Sequence, residues 1–318
     1  MPLDLGIAVS HAPGMYMRTE EQWNALWDLR SLSRGVPQPK HVYDITGDKW
    51  QEYVNRIDAG HAELTRVFDE YKPEVLIIIG GDQAEMFDRS NVPQFMIYTG
   101  EHAAGPRPSG KVGVVSDENV EMEVDVPFSE WLLEKLVLTK NFDIAFSREM
   151  QNFGRGRGLP HAFCNPASYL LQNHQPKVCL IYENTSDPPS LSAKRCYDLG
   201  VAIAELVKDD PRRIAILGSG GLGHDPGGKR SGWLDEPNDR WFLDQLANGN
   251  GRATEAMFSF ESDSMNSYGT GEMRAWITVA GAMETLGTRA NVLDYIPAAK
   301  VLTGLSFAYW QPAVQPVS

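Results

Sequence analysis

Polar side chains follow several apolar segments of this sequence, at the points where buried strands would end. In open α/β sheets, ligands bind beyond the carboxyl ends of the strands, so we expect these side chains to share one edge. Imidazoles together with a carboxylate can hold a divalent first-row metal with open positions, and additional histidines can move protons. The residues with this chemistry are His11, Asp82, Gln83, Glu85, His161, His224 and Glu272.

The local sequence around each candidate also allows a purely structural role. His11 stands between a predicted strand and a Pro-Gly turn, a position that favours function. Glu272, in the segment from Tyr268 to Glu272, starts a predicted helix, where a carboxylate can simply stabilise the helix dipole by ~0.3–1 kcal/mol. The functional hypothesis therefore depends on whether these groups converge.

Alternation of short apolar runs with amphipathic segments predicts the elements that would position these residues. Continuous apolar runs at 5–9, 75–79, 178–182 and 214–217, and a weaker one at 143–146, are typical of strands covered on both faces. Apolar residues at three- and four-residue steps predict helices over 50–71, over 192–208 and directly after Gly271. The pattern favours an α/β fold with a central, mostly parallel sheet and helices on both faces.

Two long segments, 14–48 and 99–125, are polar and contain proline and glycine. We expect them to be long loops near the active site, because loops of this length are often functional. The sequence contains no internal repeat, low-complexity tract or convincing linker, which predicts a single domain over residues 1–318.

Composition excludes several classes of protein. The 318 residues include 29 Lys and Arg against 42 Asp and Glu, a net charge of −13 that disfavours binding to a phosphate backbone. Three cysteines are too few for a disulfide scaffold or a four-cysteine zinc site. No apolar run approaches the ~20 residues of a membrane helix, and the N-terminus lacks signal-peptide features, so we expect a cytoplasmic protein.

Other catalytic motifs fit the sequence poorly. Gly218, Gly220 and Gly223 satisfy the dinucleotide pattern, but Asp225-Pro226 follows where that pattern needs an opening helix. These glycines instead favour a sharp turn that presents His224. Ser219 lacks the flanking residues of a nucleophile elbow, and Cys164 is better interpreted as a buried structural cysteine.

Five segments, in order along the chain, resemble the class III extradiol ring-cleavage dioxygenases, the superfamily of the protocatechuate 4,5-dioxygenase catalytic subunit. They span most of the sequence. The matching segments are GIAVSHAP at 6–13, GPRP at 105–108, PHAFCNP at 160–166, GSGGLGH at 218–224 and GEMRAW at 271–276.

One position departs from the family pattern. The family's second iron ligand is a histidine in an Asp-His pair after the second strand, and here the pair is Asp82-Gln83. Gln83 could ligate through its carbonyl oxygen; Glu85 and His61 are alternatives, although His61 lies on the apolar stripe of a predicted helix. The Asp-Gln-x-Glu variant and the insertion after His11 most resemble the 3-O-methylgallate dioxygenase branch.

The resemblance implies a non-haem Fe(II) enzyme that adds O2 to a catechol- or gallate-type ring and gives an open-chain product, in aromatic catabolism. It implies that His11, Glu272 and Gln83 hold the metal, that His224 is the base, and that His161 is the acid or positions oxygen. Arg107 would meet a substrate carboxylate or, equally, remain a loop-surface arginine. The 14–48 insertion would replace the small subunit of protocatechuate enzymes, which suggests a homodimer.

A competing hypothesis is a metal-free binding protein, or a zinc hydrolase, on the same fold. The glutamine at position 83 favours this alternative, because an amide is a weaker metal ligand than an imidazole. Retention of both His161 and His224 favours the enzyme, because a pure binding protein has no evident need for them.

Overall fold

A mixed eight-stranded sheet forms the centre of the molecule. This computed structural model describes residues 2–150, 154, 158–257 and 269–312, and the elements named below belong to those residues. The eight strands of this sheet are β1 (Leu3–Val9), β2 (Val75–Gly80), β3 (Phe95–Tyr98), β6 (Ala145–Ser147), β7 (Lys177–Glu183), β8 (Ile214–Ser219), β9 (Asn291–Ala298) and β10 (Thr303–Trp310). Two further strands, β4 (His102–Pro106) and β5 (Asn119–Glu123), form a separate two-stranded sheet.

Helices cover both faces of this sheet. They are α1 (Glu20–Arg30), α2 (Lys40–Tyr43), α3 (Gly47–Tyr71), α4 (Val126–Lys140), α5 (His161–Leu170), α6 (Ala193–Val207), α7 (Glu236–Ala247) and α8 (Met273–Thr285). One apolar core lies under α1, α3 and α5, and a second lies under α4, α6, α7 and α8. None of the helices in the described part of the chain is both long and apolar enough to cross a membrane.

The strand order is β6-β3-β7-β2-β8-β1-β10-β9, and the four central strands from β7 to β1 run parallel. On one side, β10 and β9 continue the sheet in antiparallel pairing; on the other, β3 is antiparallel to β7 and parallel to β6. The predicted α/β class, with a mostly parallel central sheet, is confirmed. Each predicted strand is present with slightly shifted bounds, and the three predicted helices correspond to α3, α6 and α8.

The prediction of long loops was wrong in part. Segment 14–48 contains α1 and α2, and α1 begins with a capping box in which Thr19 and Gln22 bond each other's backbone N–H groups. Segment 99–125 contains the antiparallel β4–β5 hairpin, in which alternate residues of β5 are buried. Tyr268, part of the predicted segment around Glu272, lies outside the described residues.

Glycine brings α6 and α8 into backbone contact. A Cβ atom on Gly200 would lie 1.9 Å from the carbonyl oxygen of Thr278, and one on Gly281 would lie 2.2 Å from that of Tyr197. These helices touch at positions where any side chain would force them apart. This contact fixes the middle of α8 against α6, and Glu272 directly precedes α8.

Candidate active site

The carboxyl ends of the parallel strands bring the candidate residues to one edge of the sheet. His11 lies two residues beyond β1, Gln83 three residues beyond β2, and His224 follows the glycine-rich turn after β8. Glu272 ends a short 3-10 turn, Thr270–Glu272, that leads into α8. His11 and Glu272 are each 2% exposed, so water screens their interaction little.

The Glu272 carboxylate is the point at which these residues meet. Its Oε2 atom lies 3.2 Å from Nε2 of His11 and 3.6 Å from Nε2 of His224. The backbone N–H of Gly221 donates to the same oxygen at 2.7 Å. The side-chain amide of Gln83 donates to the other oxygen, Oε1.

The hydrogen bonds of His11 determine which ring nitrogen faces Glu272 with a lone pair. Ser219 donates its hydroxyl proton to the Ala162 carbonyl oxygen at 2.5 Å, so it accepts from Nδ1 of His11, 2.9 Å away. Neutral His11 therefore carries its proton on Nδ1 and a lone pair on Nε2. Asn165 further fixes the residue by donating to the His11 carbonyl oxygen at 2.7 Å.

His224 is oriented in the same way. Its Nδ1 atom lies 2.6 Å from the carbonyl oxygen of Leu222, which can only accept, so Nδ1 donates. The lone pair of the neutral ring is then on Nε2, the atom nearest Glu272. The backbone N–H of His224 donates to the Thr270 hydroxyl at 3.2 Å, which ties the turn to the segment that carries Glu272.

His161 joins the site through a ring contact with His11, edge to face, with centroids 4.8 Å apart. It is the first residue of α5, and Glu85 accepts from both its Nδ1, at 2.8 Å, and its backbone N–H, at 3.0 Å. Asp82 shapes the loop that carries Glu85 by accepting from the N–H groups of Glu85, Met86 and Phe87. A carboxylate–imidazole pair thus stands beside the Glu272 cluster.

Burial and mutual charge shift the pKa values of these side chains. Burial lowers the pKa of His11 below its ordinary value, although Glu272 opposes this shift. Burial alone would lower the pKa of His161, but Glu85 outweighs it and raises the pKa to about 9. For Glu272, burial would raise the pKa, but the His11 and His224 imidazoles outweigh it and hold the pKa well below the usual range. The neutral form of His11 and the anionic form of Glu272 are those that bind metals.

The donor chemistry of this cluster fits a divalent cation. The Nε2 lone pair of neutral His11 lies 3.2 Å from a carboxylate oxygen of Glu272, and a proton or a cation between two acceptors this close would stabilise them. Histidines that bind metals typically donate their other ring nitrogen to an oxygen, as His11 does to Ser219. Within the described ranges no cluster of three His, Cys, Asp or Glu side chains could hold a metal ion. Gln83, whose amide contacts Glu272, is a candidate for a third ligand beside His11 and Glu272.

Two residues that the sequence suggested for the site, one as a metal ligand and one as a substrate contact, lie away from the Glu272 cluster. The His61 ring packs against Tyr16, Tyr169 and Phe307 within the apolar core, and burial lowers its pKa to about 3. Arg107 follows β4 with 42% of its side chain exposed; it lies 3.9 Å from a carboxylate oxygen of Glu118 and donates to the carbonyl oxygen of Ser168 at 3.3 Å. The contacts described here link neither residue to Glu272.

Sequence reasoning missed several residues that orient the site. Ser219, which is no nucleophile-elbow residue by its sequence, fixes the tautomer of His11. Asn165 and Thr270 hold the His11 and His224 backbones. Asn165 follows His161 by four residues, one helical turn, and this spacing was the available signal that it faces the same side.

Several known proteins are similar to this chain. The model of the family described as "Catalytic LigB subunit of aromatic ring-opening dioxygenase" matches residues 6–305. Gallate dioxygenase from Pseudomonas putida is 26% identical over 175 residues, which are 54% of this chain and 48% of that protein.

Two relatives named 2,3-dihydroxyphenylpropionate/2,3-dihydroxicinnamic acid 1,2-dioxygenase are also similar. The protein from Photorhabdus laumondii is 27% identical over 165 residues, 52% of this chain and 47% of the relative. The protein from Cupriavidus necator is 22% identical over 321 aligned positions, 86% of this chain and 96% of the relative. The chain thus spans about half the length of the first two relatives and nearly all of the third. The family match covers most of the sequence, and the chain belongs to the LigB family of catalytic subunits of aromatic ring-opening dioxygenases.

Proposed function

We propose that this protein is an Fe(II)-dependent extradiol dioxygenase that adds both atoms of O2 to a catechol- or gallate-type ring and opens it. The observation that carries the proposal is the Glu272 carboxylate oxygen facing the Nε2 atoms of both His11 and His224. His11, Glu272 and Gln83 would hold the metal. Bound ferrous iron would supply the electron transfer that lets O2 react with the ring.

The two remaining histidines would handle protons. His224 would accept a proton from a substrate hydroxyl at Nε2, because Nδ1 already donates to Leu222 and cannot accept. His161, with its Nδ1 held by Glu85, can donate from Nε2 or orient oxygen. Burial of the cluster excludes bulk water from these transfers. Substrates of the gallate, 3-O-methylgallate or protocatechuate class fit the proposal, and Arg107 stays a proposed contact for a substrate carboxylate.

Anaerobic reconstitution with Fe(II), followed by oxygen-uptake measurement on gallate, 3-O-methylgallate and protocatechuate, tests this function. We expect uptake of one O2 per substrate together with loss of the aromatic absorbance. A parallel Zn(II) sample should consume no oxygen. Tight binding of these aromatic diols without any oxygen uptake in the iron sample would refute the proposal.

One contact favours a second candidate function, a metal-free binding protein or a zinc hydrolase. The amide of Gln83 donates directly to Glu272, so one carboxylate oxygen has a hydrogen-bond donor without a cation. Amide nitrogen and oxygen have nearly the same shape, so a half-turn of the Gln83 amide would present its oxygen to a bound ion. Metal titration of the apo-protein, followed by the oxygen-uptake assay, separates the two candidates.

A further inference from the structure

A buried carboxylate lies under the turn that carries His224. Asp239, in the first turn of α7, is fully buried, and neither Lys nor Arg forms an ion pair with it within the described ranges. Removing a carboxylate from water without a cationic partner is costly and calls for a specific reason.

The contacts of Asp239 supply that reason. Its Oδ1 atom accepts from the backbone N–H of Gly223, the residue before His224, at 2.7 Å. Its Oδ2 atom accepts from the Tyr295 hydroxyl at 2.7 Å. Both oxygens of the carboxylate are therefore used, and one holds the peptide that leads into His224.

Two glycines make room for this carboxylate. A Cβ atom on Gly223 would lie 2.8 Å from Oδ1, and one on Gly304 would lie 2.3 Å from Oδ2. The same two glycines join the turn to β10, because the N–H of Gly304 donates to the Gly223 carbonyl oxygen at 3.1 Å. Asp239 thus fills a space that the turn and β10 leave between them.

We propose that Asp239 is a positioning residue that fixes the Gly223 peptide and thereby the His224 imidazole. Only the part of this inference that concerns ring-cleavage activity rests on the proposed function. The alternative is that Asp239 merely stabilises the fold, as many buried polar groups do. The two alternatives differ in whether loss of the carboxylate disturbs the His224 ring specifically.

The decisive variants are Asp239→Ala, which removes both acceptors, and Asp239→Asn, which keeps an oxygen for the Gly223 N–H. Asp125→Ala is a control: Asp125 is also buried and accepts a backbone N–H, from Phe128 at 3.1 Å, although it additionally pairs with Arg212 at 2.8 Å. It lies at the opposite edge of the sheet, where its own N–H donates to Val178 near the start of β7.

For Asp239→Ala we expect kcat for ring cleavage to fall about 10- to 100-fold, the loss typical of a misplaced catalytic group, with KM and iron content little changed. Asp239→Asn should restore most of kcat. Asp125→Ala should lower thermal stability and leave kcat unchanged. An equal fall in kcat for the two alanine variants would show a general structural role and overturn the inference.

An activity-independent measurement separates this inference from the proposed function. Long-range 1H–15N NMR of the His224 ring reports whether Nδ1 carries the proton, as the bond to Leu222 requires. We expect this tautomer to be lost in Asp239→Ala and kept in Asp239→Asn and Asp125→Ala. An unchanged tautomer in Asp239→Ala would overturn the inference even if the enzyme is active. If no substrate consumes oxygen, the proposed function fails and the NMR result still decides the role of Asp239.

Should Asp239→Ala not fold, Gly223→Ala provides the same perturbation without removing the carboxylate. Its Cβ atom would push against Oδ1 of Asp239 and displace the turn. A changed His224 tautomer in Gly223→Ala supports the inference, and an unchanged one contradicts it.

Discussion

Glu85 accepts two hydrogen bonds from a single residue, His161: one from the ring Nδ1 at 2.8 Å and one from the backbone N–H at 3.0 Å. These two hydrogen bonds hold the Glu85 carboxylate against the first turn of α5. As a candidate third metal ligand it competes with Gln83, whose amide touches Glu272 directly. The geometry favours Glu85 as the partner of His161 and Gln83 as the residue at the metal.

Glu85→Gln tests this division of roles. We expect the variant to bind as much iron as the wild type, because the ligand set is intact. Its ring-cleavage rate should fall about 10- to 100-fold. The reason is that His161 loses the carboxylate that holds its ring in place and raises its pKa. Metal analysis and oxygen uptake on the same sample measure both effects, and loss of iron would instead identify Glu85 as a ligand.

Removal of either central group should abolish metal binding. We expect neither His11→Ala nor Glu272→Ala to bind stoichiometric iron. Each variant removes one of the three proposed ligands, and the third ligand, Gln83, binds metals weakly. Glu121→Gln, an exposed substitution on β5, is the control and should bind iron normally. Iron content after anaerobic loading and desalting checks the result, and full retention of iron by Glu272→Ala would exclude it as a ligand.

His224→Ala should leave metal binding intact and impair catalysis. The proposed ligands remain in this variant, so iron content should be unchanged. Loss of the base should lower kcat about 10²- to 10⁴-fold, the usual contribution of general acid–base catalysis. Steady-state oxygen uptake at saturating substrate measures the effect, and full activity would show that another group takes the proton.

Gln83→His should tighten metal binding. An imidazole is a better ligand than a carboxamide for first-row metals, so we expect Kd for Fe(II) to fall about tenfold, or about 1.4 kcal/mol. Gln83→Ala is the comparison and should bind more weakly than the wild type. Anaerobic competition with a chromophoric chelator measures Kd; identical values for all three proteins would mean that position 83 does not contact the metal.

Glu183 should make stability depend on pH. Burial raises its pKa to about 8, although Thr278 and Arg274 oppose the shift. The native state binds the Glu183 proton more tightly than the unfolded state does. The free energy of unfolding therefore falls as the pH rises from about 4.5 to about 8. Glu183→Gln cannot titrate and should lack this fall, which would amount to a few kcal/mol at most. Urea unfolding near pH 5 and pH 9 tests this, and parallel pH dependence in both proteins would contradict it.

The sequence predicted the central part of the fold because buried parallel strands are continuous apolar runs. It missed β9 and β10, whose composition is more mixed, although β10 pairs directly with β1. It also missed α1, because the signal there is a capping box at Thr19 rather than a strong apolar stripe. Local patterns thus predicted continuous apolar runs and missed elements of mixed composition, even where nearly every residue is buried, as in β10.

For the site, strand ends predicted where the chemistry lies but not how each ring is oriented. His11 and His224 could be placed together because parallel strands present their carboxyl ends at one edge. Glu272 follows no strand, and only its predicted position at the start of a helix suggested that it joins them. The roles of Ser219 and Glu85 depend on which atoms meet across the fold, and a single sequence does not encode such distances locally.

The placement of β1 between β8 and β10 has a consequence for biosynthesis. His11 emerges from the ribosome long before Glu272, the residue that faces it. Until α8 has been synthesised and has docked against α6, a growing polypeptide has no carboxylate to offer beside that imidazole. The proposed metal site would therefore be completed only after α8 has been made, and nascent or truncated chains that stop short of α8 would lack one of its proposed ligands.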